Sequence, residues 1–155
     1  MTLADARNYA VIGCVELGCP GKTYHSSDAG LFNVLACLEL ALSGGKGFGK
    51  PLFASWAKKT PLPEHMTCFE DVFDAFTVQV QAMIADAVPR TALLEKANRK
   101  HRTAPLNSML TEGCMERGRD VTWGGAPYDF TSYQAVGLAD VADSLVVIKK
   151  AVFEE

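Results

Sequence analysis

The sequence predicts an α/β fold in which helices predominate. Residues 9–15 form a short apolar run rich in β-branched residues, and a run without polar alternation is typical of a strand buried on both faces. Three longer segments carry apolar residues at helical spacing. Because one strand cannot form a sheet, the pattern also predicts that part of the fold lies outside this sequence.

The first helical segment follows a loop rich in glycine. Ser26-Ser27-Asp28 supplies polar side chains of the kind that cap helix N-termini, and Ser43-Gly44-Gly45 is expected to end the helix. Its predicted apolar face consists of Leu31, Val34, Leu35, Leu38 and Leu42. Residues 43–63 hold several glycines and prolines, which predicts a long surface connection.

The second helical segment begins with a capping-box pattern, in which Glu70 follows Thr67 by three residues. Pro89 is expected to end or kink this helix, and residues 91–102 are expected to add one or two helical turns. Its predicted apolar stripe consists of Phe69, Val72, Phe73, Phe76, Val80, Met83 and Ile84.

The last third of the chain predicts an irregular segment followed by a helix. Pro105 and four glycines between residues 113 and 125 interrupt any regular period. The final segment again has helical spacing and is expected to run to the end of the chain. Its apolar face consists of Val136, Ala139, Val141, Ala142, Leu145, Ile148 and Val152.

Composition excludes several classes of protein. The chain has 155 residues, of which 48% are hydrophobic, and its net charge is only −3; a disordered chain or a nucleic-acid binder would be less apolar or more basic. No apolar run reaches the roughly 18–20 residues that span a bilayer. An acid near the N-terminus argues against a secretory signal, so we expect a cytoplasmic protein with no membrane or nucleic-acid partner. The five cysteines should be reduced, and their spacing predicts no metal site.

The segment Gly13-Cys14-Val15-Glu16 has the strongest potential for chemistry. In an extended chain, Cys14 and Glu16 would face the same side. A neighbouring carboxylate disfavours the thiolate, so the pair suits chemistry in which a neutral S–H bond is broken homolytically while the carboxylate acts as a base. The alternative is a buried structural cysteine beside a surface glutamate, and spacing alone leaves both open.

Longer motifs carry a family resemblance. The chain resembles the glycyl radical enzymes, the relatives of pyruvate formate-lyase that include diol, glycerol and hydroxyproline dehydratases. The resemblance covers nearly the whole chain, in the same order. The matching motifs are Ile12-Gly13-Cys14-Val15-Glu16, Pro20-Gly21-Lys22-Thr23, Asp28-Ala29-Gly30-Leu31-Phe32-Asn33, Cys114-Met115-Glu116-Arg117-Gly118-Arg119-Asp120, Gly124-Gly125-Ala126-Pro127-Tyr128 and Ala139-Asp140-Val141-Ala142-Asp143-Ser144-Leu145.

The resemblance implies a fold and a mechanism. The fold would be part of a ten-stranded α/β barrel. Cys14 matches the cysteine that becomes a thiyl radical and abstracts a hydrogen atom from substrate, and Glu16 matches the carboxylate that deprotonates a substrate hydroxyl. Asp28 matches an acid that hydrogen-bonds substrate hydroxyls in diol and glycerol dehydratases, although an acid near a helix start is also an ordinary cap. The other four cysteines match no catalytic position.

The resemblance also implies what this sequence would lack. A glycine-radical loop of the form Arg-Val-x-Gly-Tyr does not occur in it, so residues 1–155 are expected to form a partial domain, without the upstream barrel half and the downstream radical loop. The chain itself would bind no cofactor or metal and would be inactive alone. Its partners would be a small substrate, a radical SAM activating enzyme that installs the glycyl radical elsewhere, and the rest of the barrel, in a parent enzyme expected to be a homodimer.

The sequence departs from the family pattern at two positions, and three functions other than a dehydratase remain as alternatives. Position 13 is Gly where pyruvate formate-lyase proper has a second cysteine, which disfavours the formate acetyltransferase reaction, and Leu17 stands where many dehydratases have proline. A lyase of the dehydratase or eliminase branch is therefore expected. An arylacetate decarboxylase is the first alternative, but Asp28 would repel a substrate carboxylate. A non-catalytic fragment or subunit that needs a partner chain is the alternative from another class.

Overall fold

The computed structural model describes residues 1–13, 16–47 and 55–154, except for the side chains of residues 25–27. These residues form two compact units. The first unit comprises Met1–Gly30 and Arg90–Gln134, and the second comprises Leu31–Pro89 and Ala135–Glu155. The elements, in chain order, are α1 (Leu3–Arg7), β1 (Ala10–Ile12), β2 (Glu16–Gly18), β3 (Thr23–Asn33), α2 (Val34–Leu42), α3 (Phe69–His101), α4 (Pro105–Met109), α5 (Cys114–Arg117), β4 (Tyr128–Val136) and α6 (Leu138–Ile148).

The predicted strand over residues 9–15 is the first strand of a hairpin. Strand β1 ends at Ile12 and pairs antiparallel with β2, so that Ile12 lies opposite Glu16. Gly13 has φ 64°, a left-handed conformation that most side chains disfavour, and the chain reverses after it. Val11 is 57% exposed, so the prediction of burial on both faces is wrong for the described part of this strand.

A second two-stranded sheet, formed by β3 and β4, has no counterpart in the predicted elements. Strand β3 runs through Ser26-Ser27-Asp28, so these residues do not cap a helix. The side chain of Asn33 caps α2 instead, by accepting from the backbone N–H of Ala36 at 3.1 Å. The predicted end of α2 is confirmed, because the helix stops at Leu42 with Ser43 as its C-cap.

Helix α3 continues through Pro89 to His101. Of the two predicted effects of Pro89, an end or a kink, the end is therefore wrong. Proline in a helix interior removes a hydrogen bond at a cost of about 3 kcal/mol. Both sides of Pro89 have compensating contacts, since Met83 and Ala87 are buried before it and Thr91 bonds to Tyr133 after it. The boundary between the two units also falls directly after Pro89.

The acid that caps α3 is one residue later than predicted. Oδ2 of Asp71 accepts from the backbone N–H groups of Thr67 and Cys68, at 2.7 and 3.2 Å. These hydrogen bonds favour the ionised carboxylate and lower the pKa of Asp71. The role predicted for Glu70 therefore belongs to Asp71, because the helix begins at Phe69 rather than one residue earlier.

The core of the second unit is built from parts of the three predicted apolar helix faces. Other predicted members are 40–63% exposed, namely Leu31, which lies in β3, and Leu35, Phe73 and Ile84. One buried cluster contains Val34, Leu38, Met83 and Val141, and another contains Ala41, Met66, Val72 and Ala75. The predicted surface connection over residues 43–63 is partly buried against this core, since Ser43 and Thr60 are each 8% exposed. The burial has a polar anchor in Gln79, which is fully buried on α3. Its Oε1 accepts from the backbone N–H of Lys58 at 3.0 Å, and its Nε2 donates to the Lys58 carbonyl at 2.7 Å.

The C-terminal segment departs from a regular α-helix. After α6, residues Lys149–Phe153 form a π-helical turn, in which hydrogen bonds span five residues rather than four. Ile148 and Phe153, five residues apart, both pack against the core, whereas Val152 is 66% exposed. The predicted apolar face is therefore correct at Val141, Leu145 and Ile148 and wrong at Val152. It is also wrong at its start, because Val136 belongs to β4 and Ala139 and Ala142 are exposed.

The segment predicted to be irregular contains two short helices, α4 and α5. Pro105 occupies the first turn of α4, where its missing N–H costs no helical hydrogen bond. None of the helices in the described part of the chain is both long and apolar enough to cross a membrane.

Candidate active site

Cys14, the residue predicted to carry the radical, lies outside the described residues, and its role stays a prediction. The described residues on either side are Gly13, which follows β1 in a turn conformation, and Glu16, which begins β2. Because Ile12 and Glu16 are cross-strand partners, the premise of one extended strand through residues 9–16 is wrong. Ile12 and Glu16 instead lie opposite each other on two antiparallel strands.

Glu16 is partly buried, and its carboxylate contacts one residue that is distant in sequence, Gln134, and lies beside one that is near in sequence, Gly13. Nε2 of Gln134, on β4, donates to Oε1 of Glu16 at 2.7 Å. On the other side the carboxylate lies over Gly13, where a Cβ would stand only 2.6 Å from Oε2. Strand β2 and Gln134 on β4 thus hold an ionisable group two positions after Cys14 in the sequence.

Asp28 lies in the middle of β3 and is exposed. Since β3 is extended at this position, the alternative interpretation of Asp28 as a helix cap is wrong. Its carboxylate is open to solvent in the described structure, so it is available to a polar ligand. The predicted contact with a substrate hydroxyl stays a prediction.

The sheet that carries Asp28 is packed closely at its neighbour Gly30. A Cβ on Gly30 would lie 2.6 Å from Cε1 of Tyr133, so the strand approaches the tyrosine ring in a way that only glycine permits. The hydroxyl of Tyr133 bonds to Thr91 on α3. These contacts fix the part of β4 that presents Gln134.

A second polar cluster anchors the chain before β1 to the start of β4. Oδ2 of Asp5 accepts from the hydroxyl of Tyr128 at 2.6 Å and from that of Thr2 at 2.7 Å, and Oδ1 accepts from Nζ of Lys22 at 2.8 Å. With the hydrogen bond from Lys22 as the largest cause, these contacts hold the pKa of Asp5 well below its usual range. The cluster belongs to the scaffold, because every Asp5 oxygen already has a donor.

The other cysteines differ in environment. Cys19, Cys37 and Cys114 are buried, and Cys68 is partly exposed. Burial raises the pKa of Cys37 to about 11, so this thiol stays neutral. Among the described residues there is no group of three or more His, Cys, Asp or Glu side chains that could hold a metal ion.

Sequence reasoning missed Gln134. It is separated from Glu16 by 118 positions, and glutamine is common on protein surfaces, so no local pattern marks it. The composition of residues 128–136 could have predicted the strand that carries Gln134. This segment includes Tyr, Phe, Thr, Tyr and Val, which favour strands.

The mixed α/β fold agrees with the comparisons with known proteins. The pyruvate formate lyase-like family matches the chain over residues 1–155, and the chain belongs to this family. Its relatives and structural neighbours are glycyl radical enzymes, which confirms the resemblance drawn from the motifs. Enzymes of this family are activated by radical SAM activases and bind small substrates.

Individual relatives are dehydratases. The chain is 34% identical to (2S)-3-sulfopropanediol dehydratase of Klebsiella oxytoca, over 100% of this chain and 18% of the relative. It is 35% identical to trans-4-hydroxy-L-proline dehydratase of Clostridioides difficile, over 99% of this chain and 19% of the relative. The chain therefore spans about a fifth of the length of the curated relatives that it matches.

Solved structures give the same result. The glycerol-bound, B12-independent glycerol dehydratase from Clostridium butyricum superimposes with a TM-score of 0.90 and 34% identity, over 100% of this chain and 19% of that one. A structure on 1,2-propanediol dehydration in Roseburia inulinivorans gives a TM-score of 0.88 and 38% identity, over 99% of this chain and 19% of that one. The predicted α/β class is confirmed as a mixed fold that matches part of a glycyl radical enzyme.

Proposed function

We propose that this chain is the cysteine-bearing portion of a glycyl radical lyase that dehydrates a small hydroxyl-bearing substrate. The observation that carries the proposal is the Glu16 carboxylate, held by Gln134 and placed over Gly13, next in sequence to Cys14. The dehydratases among the relatives and solved structures support the same reaction class. The rest of the ten-stranded barrel and the radical glycine would be supplied by sequence outside residues 1–155.

The proposed chemistry uses two groups of this chain. The glycyl radical, installed by a radical SAM activating enzyme, supplies the acceptor for the hydrogen atom of the Cys14 thiol. The resulting sulfur radical takes a hydrogen atom from the substrate carbon that bears a hydroxyl, while Glu16 takes the proton of that hydroxyl. The adjacent C–O bond then breaks, and the hydroxide leaves as water with the proton from Glu16. The carbonyl-stabilised carbon radical that remains recovers the hydrogen atom from Cys14, so that only water is lost.

Asp28 would contribute to substrate recognition. An exposed carboxylate accepts hydrogen bonds from hydroxyl groups and repels carboxylates. This selectivity favours a polyol over an arylacetate, and it is the reason that decarboxylation ranks below dehydration. We expect Asp28→Asn to raise KM for a polyol more than it lowers kcat.

The formate acetyltransferase reaction ranks lower still, because it needs a second cysteine at position 13. Gly13 has a positive φ, which disfavours cysteine, and a Cβ there would require the Glu16 carboxylate to move. A non-catalytic subunit would need neither a positioned carboxylate nor a cysteine at its side. The positioned Glu16 therefore favours an enzyme.

The experiment places residues 1–155 in the Clostridium butyricum glycerol dehydratase, in exchange for the 19% of that chain that they match. The exchanged enzyme is activated without oxygen, its glycyl radical is quantified by electron paramagnetic resonance, and glycerol dehydration is measured per radical. We expect Cys14→Ser and Glu16→Gln to keep the radical signal and to lose dehydration. Cys68→Ser, at a partly exposed cysteine, is the matched control and should keep both. Dehydration by Cys14→Ser at the unsubstituted rate would contradict the proposal.

A further inference from the structure

The Glu16 side chain is constrained from two directions within the first unit. Gln134 donates to Oε1 at 2.7 Å, and Gly13 lies beneath the opposite edge of the carboxylate. A Cβ at position 13 would be 2.6 Å from Oε2 and 3.2 Å from Cδ of Glu16. Distances below 3.0 Å are essentially never observed for a real Cβ, so any side chain at position 13 would displace the carboxylate.

The two carboxylate oxygens therefore have different surroundings. Oε1 accepts the hydrogen bond from the amide of Gln134. Oε2 is nearer to position 13, because a Cβ placed on Gly13 would lie 2.6 Å from Oε2 and 3.4 Å from Oε1. Oε2 therefore lies beside Gly13, the residue that precedes Cys14 in the sequence. A base works only when the accepting oxygen is within hydrogen-bond reach of the proton that it removes.

We infer that Gln134 and Gly13 are the positioning residues for the Glu16 base, an inference that rests on the proposed function. Gln134 anchors one oxygen of the carboxylate and thereby aims the other. Gly13 leaves the space that this orientation needs. Neither residue reacts with substrate, and both act through Glu16.

The side-chain amide of Gln134 suits a base, Glu16, that must be ionised before it can accept a proton. A neutral amide N–H bonded to a carboxylate stabilises the charged form, and it has no titratable proton that could compete for substrate. A glutamate at position 134 would instead bring a second negative charge to hydrogen-bond distance and raise the pKa of the pair. The amide thus keeps Glu16 ready to accept a proton.

Gly13 links this orientation to the reaction class. A cysteine at position 13 would bring a Cβ to 2.6 Å from Oε2, so the Glu16 carboxylate would have to leave this orientation. Glycine at position 13 is therefore what permits the orientation that we assign to the base.

The first test changes Gln134 in the exchanged dehydratase. We expect Gln134→Ala to lower kcat by about 10- to 100-fold, the effect of losing a hydrogen bond to a charged group, with little change in KM. Because the lost donor had favoured the anion, the acid limb of the kcat–pH profile should move to higher pH. Gln81→Ala, at an exposed glutamine on α3, is the control and should change neither quantity.

The second test separates crowding from backbone strain. Gly13→Ala adds a Cβ at φ 64°, and Gly118→Ala adds one at φ 58°, where no atom lies within 4 Å. Both substitutions carry the same conformational cost, but only the first displaces Glu16. We expect Gly13→Ala to lose dehydration while keeping the radical signal, and Gly118→Ala to keep both.

The outcomes distinguish this inference from the proposed function. If Glu16→Gln retains full activity, then Glu16 is not the base and the proposed function fails. If Glu16→Gln is inactive while Gln134→Ala keeps the unsubstituted pH profile, or lowers kcat equally at every pH, the positioning role alone is overturned. Equal losses in Gly13→Ala and Gly118→Ala would overturn the role of Gly13.

Discussion

The contact between Gln79 and Lys58 predicts a local opening that hydrogen exchange can measure. Gln79 is fully buried, and its amide forms two hydrogen bonds with the backbone of Lys58. Gln79→Leu keeps most of the side-chain volume and removes both bonds. At about 1 kcal/mol for each bond, the segment around Lys58 loses about 2 kcal/mol of resistance to opening.

That loss corresponds to faster exchange of the Lys58 amide by about 30-fold. The measurement is hydrogen–deuterium exchange followed by mass spectrometry, on a peptide that covers residues 55–62. Gln81→Leu, at an exposed glutamine two positions away on the same helix, is the matched control and should leave this peptide unchanged. Unchanged exchange in Gln79→Leu, or equal acceleration in both variants, would refute the reasoning.

Two further predictions follow from the titratable groups. The pKa of Asp5 is lowered in the folded state, so Asp5 stabilises the fold above its unfolded pKa of about 3.9, and this contribution is lost as the pH falls below that value. Asp5→Asn, which weakens the bonds to Lys22 and Tyr128, should therefore flatten the decline in stability between pH 5 and pH 2, as urea titrations at each pH will show; an unchanged pH dependence would contradict the assignment. The thiol of Cys37, with a pKa of about 11, should react with iodoacetamide at pH 8 at least about 100-fold more slowly in the native chain than in the urea-denatured chain. Similar rates in the two states, measured by mass spectrometry, would show that Cys37 is not held as a buried neutral thiol.

The helices could be predicted from sequence because their information is local. Leu38 of α2, Met83 of α3 and Val141 of α6 recur at helical spacing with their neighbours, and all three are buried in one cluster. Local information also explains the errors at the ends of helices. Glu70 fits the capping-box pattern with Thr67, whereas Asp71 does not, yet Asp71 is the cap because α3 starts at Phe69.

Strand β3 could not be predicted in the same way. Its Ser-Ser-Asp sequence favours turns and caps, and it is extended because it pairs with β4, about a hundred residues later. In the candidate site, too, one feature depends on local sequence and another on long-range contacts. The position of Glu16 beside Cys14 can be read from one motif, whereas the anchor from Gln134 depends on long-range packing.

The π-helical turn at Lys149–Phe153 has a consequence for how this chain tolerates change in length. A π-helical turn holds about one residue more than an α-helical turn, and Ile148 and Phe153 both still reach the core across it. Deleting one residue between them would convert the turn to α-helix, with the two core contacts then four residues apart on the same face. The helix therefore contains a site at which homologous sequences can differ by one residue without losing register in the core.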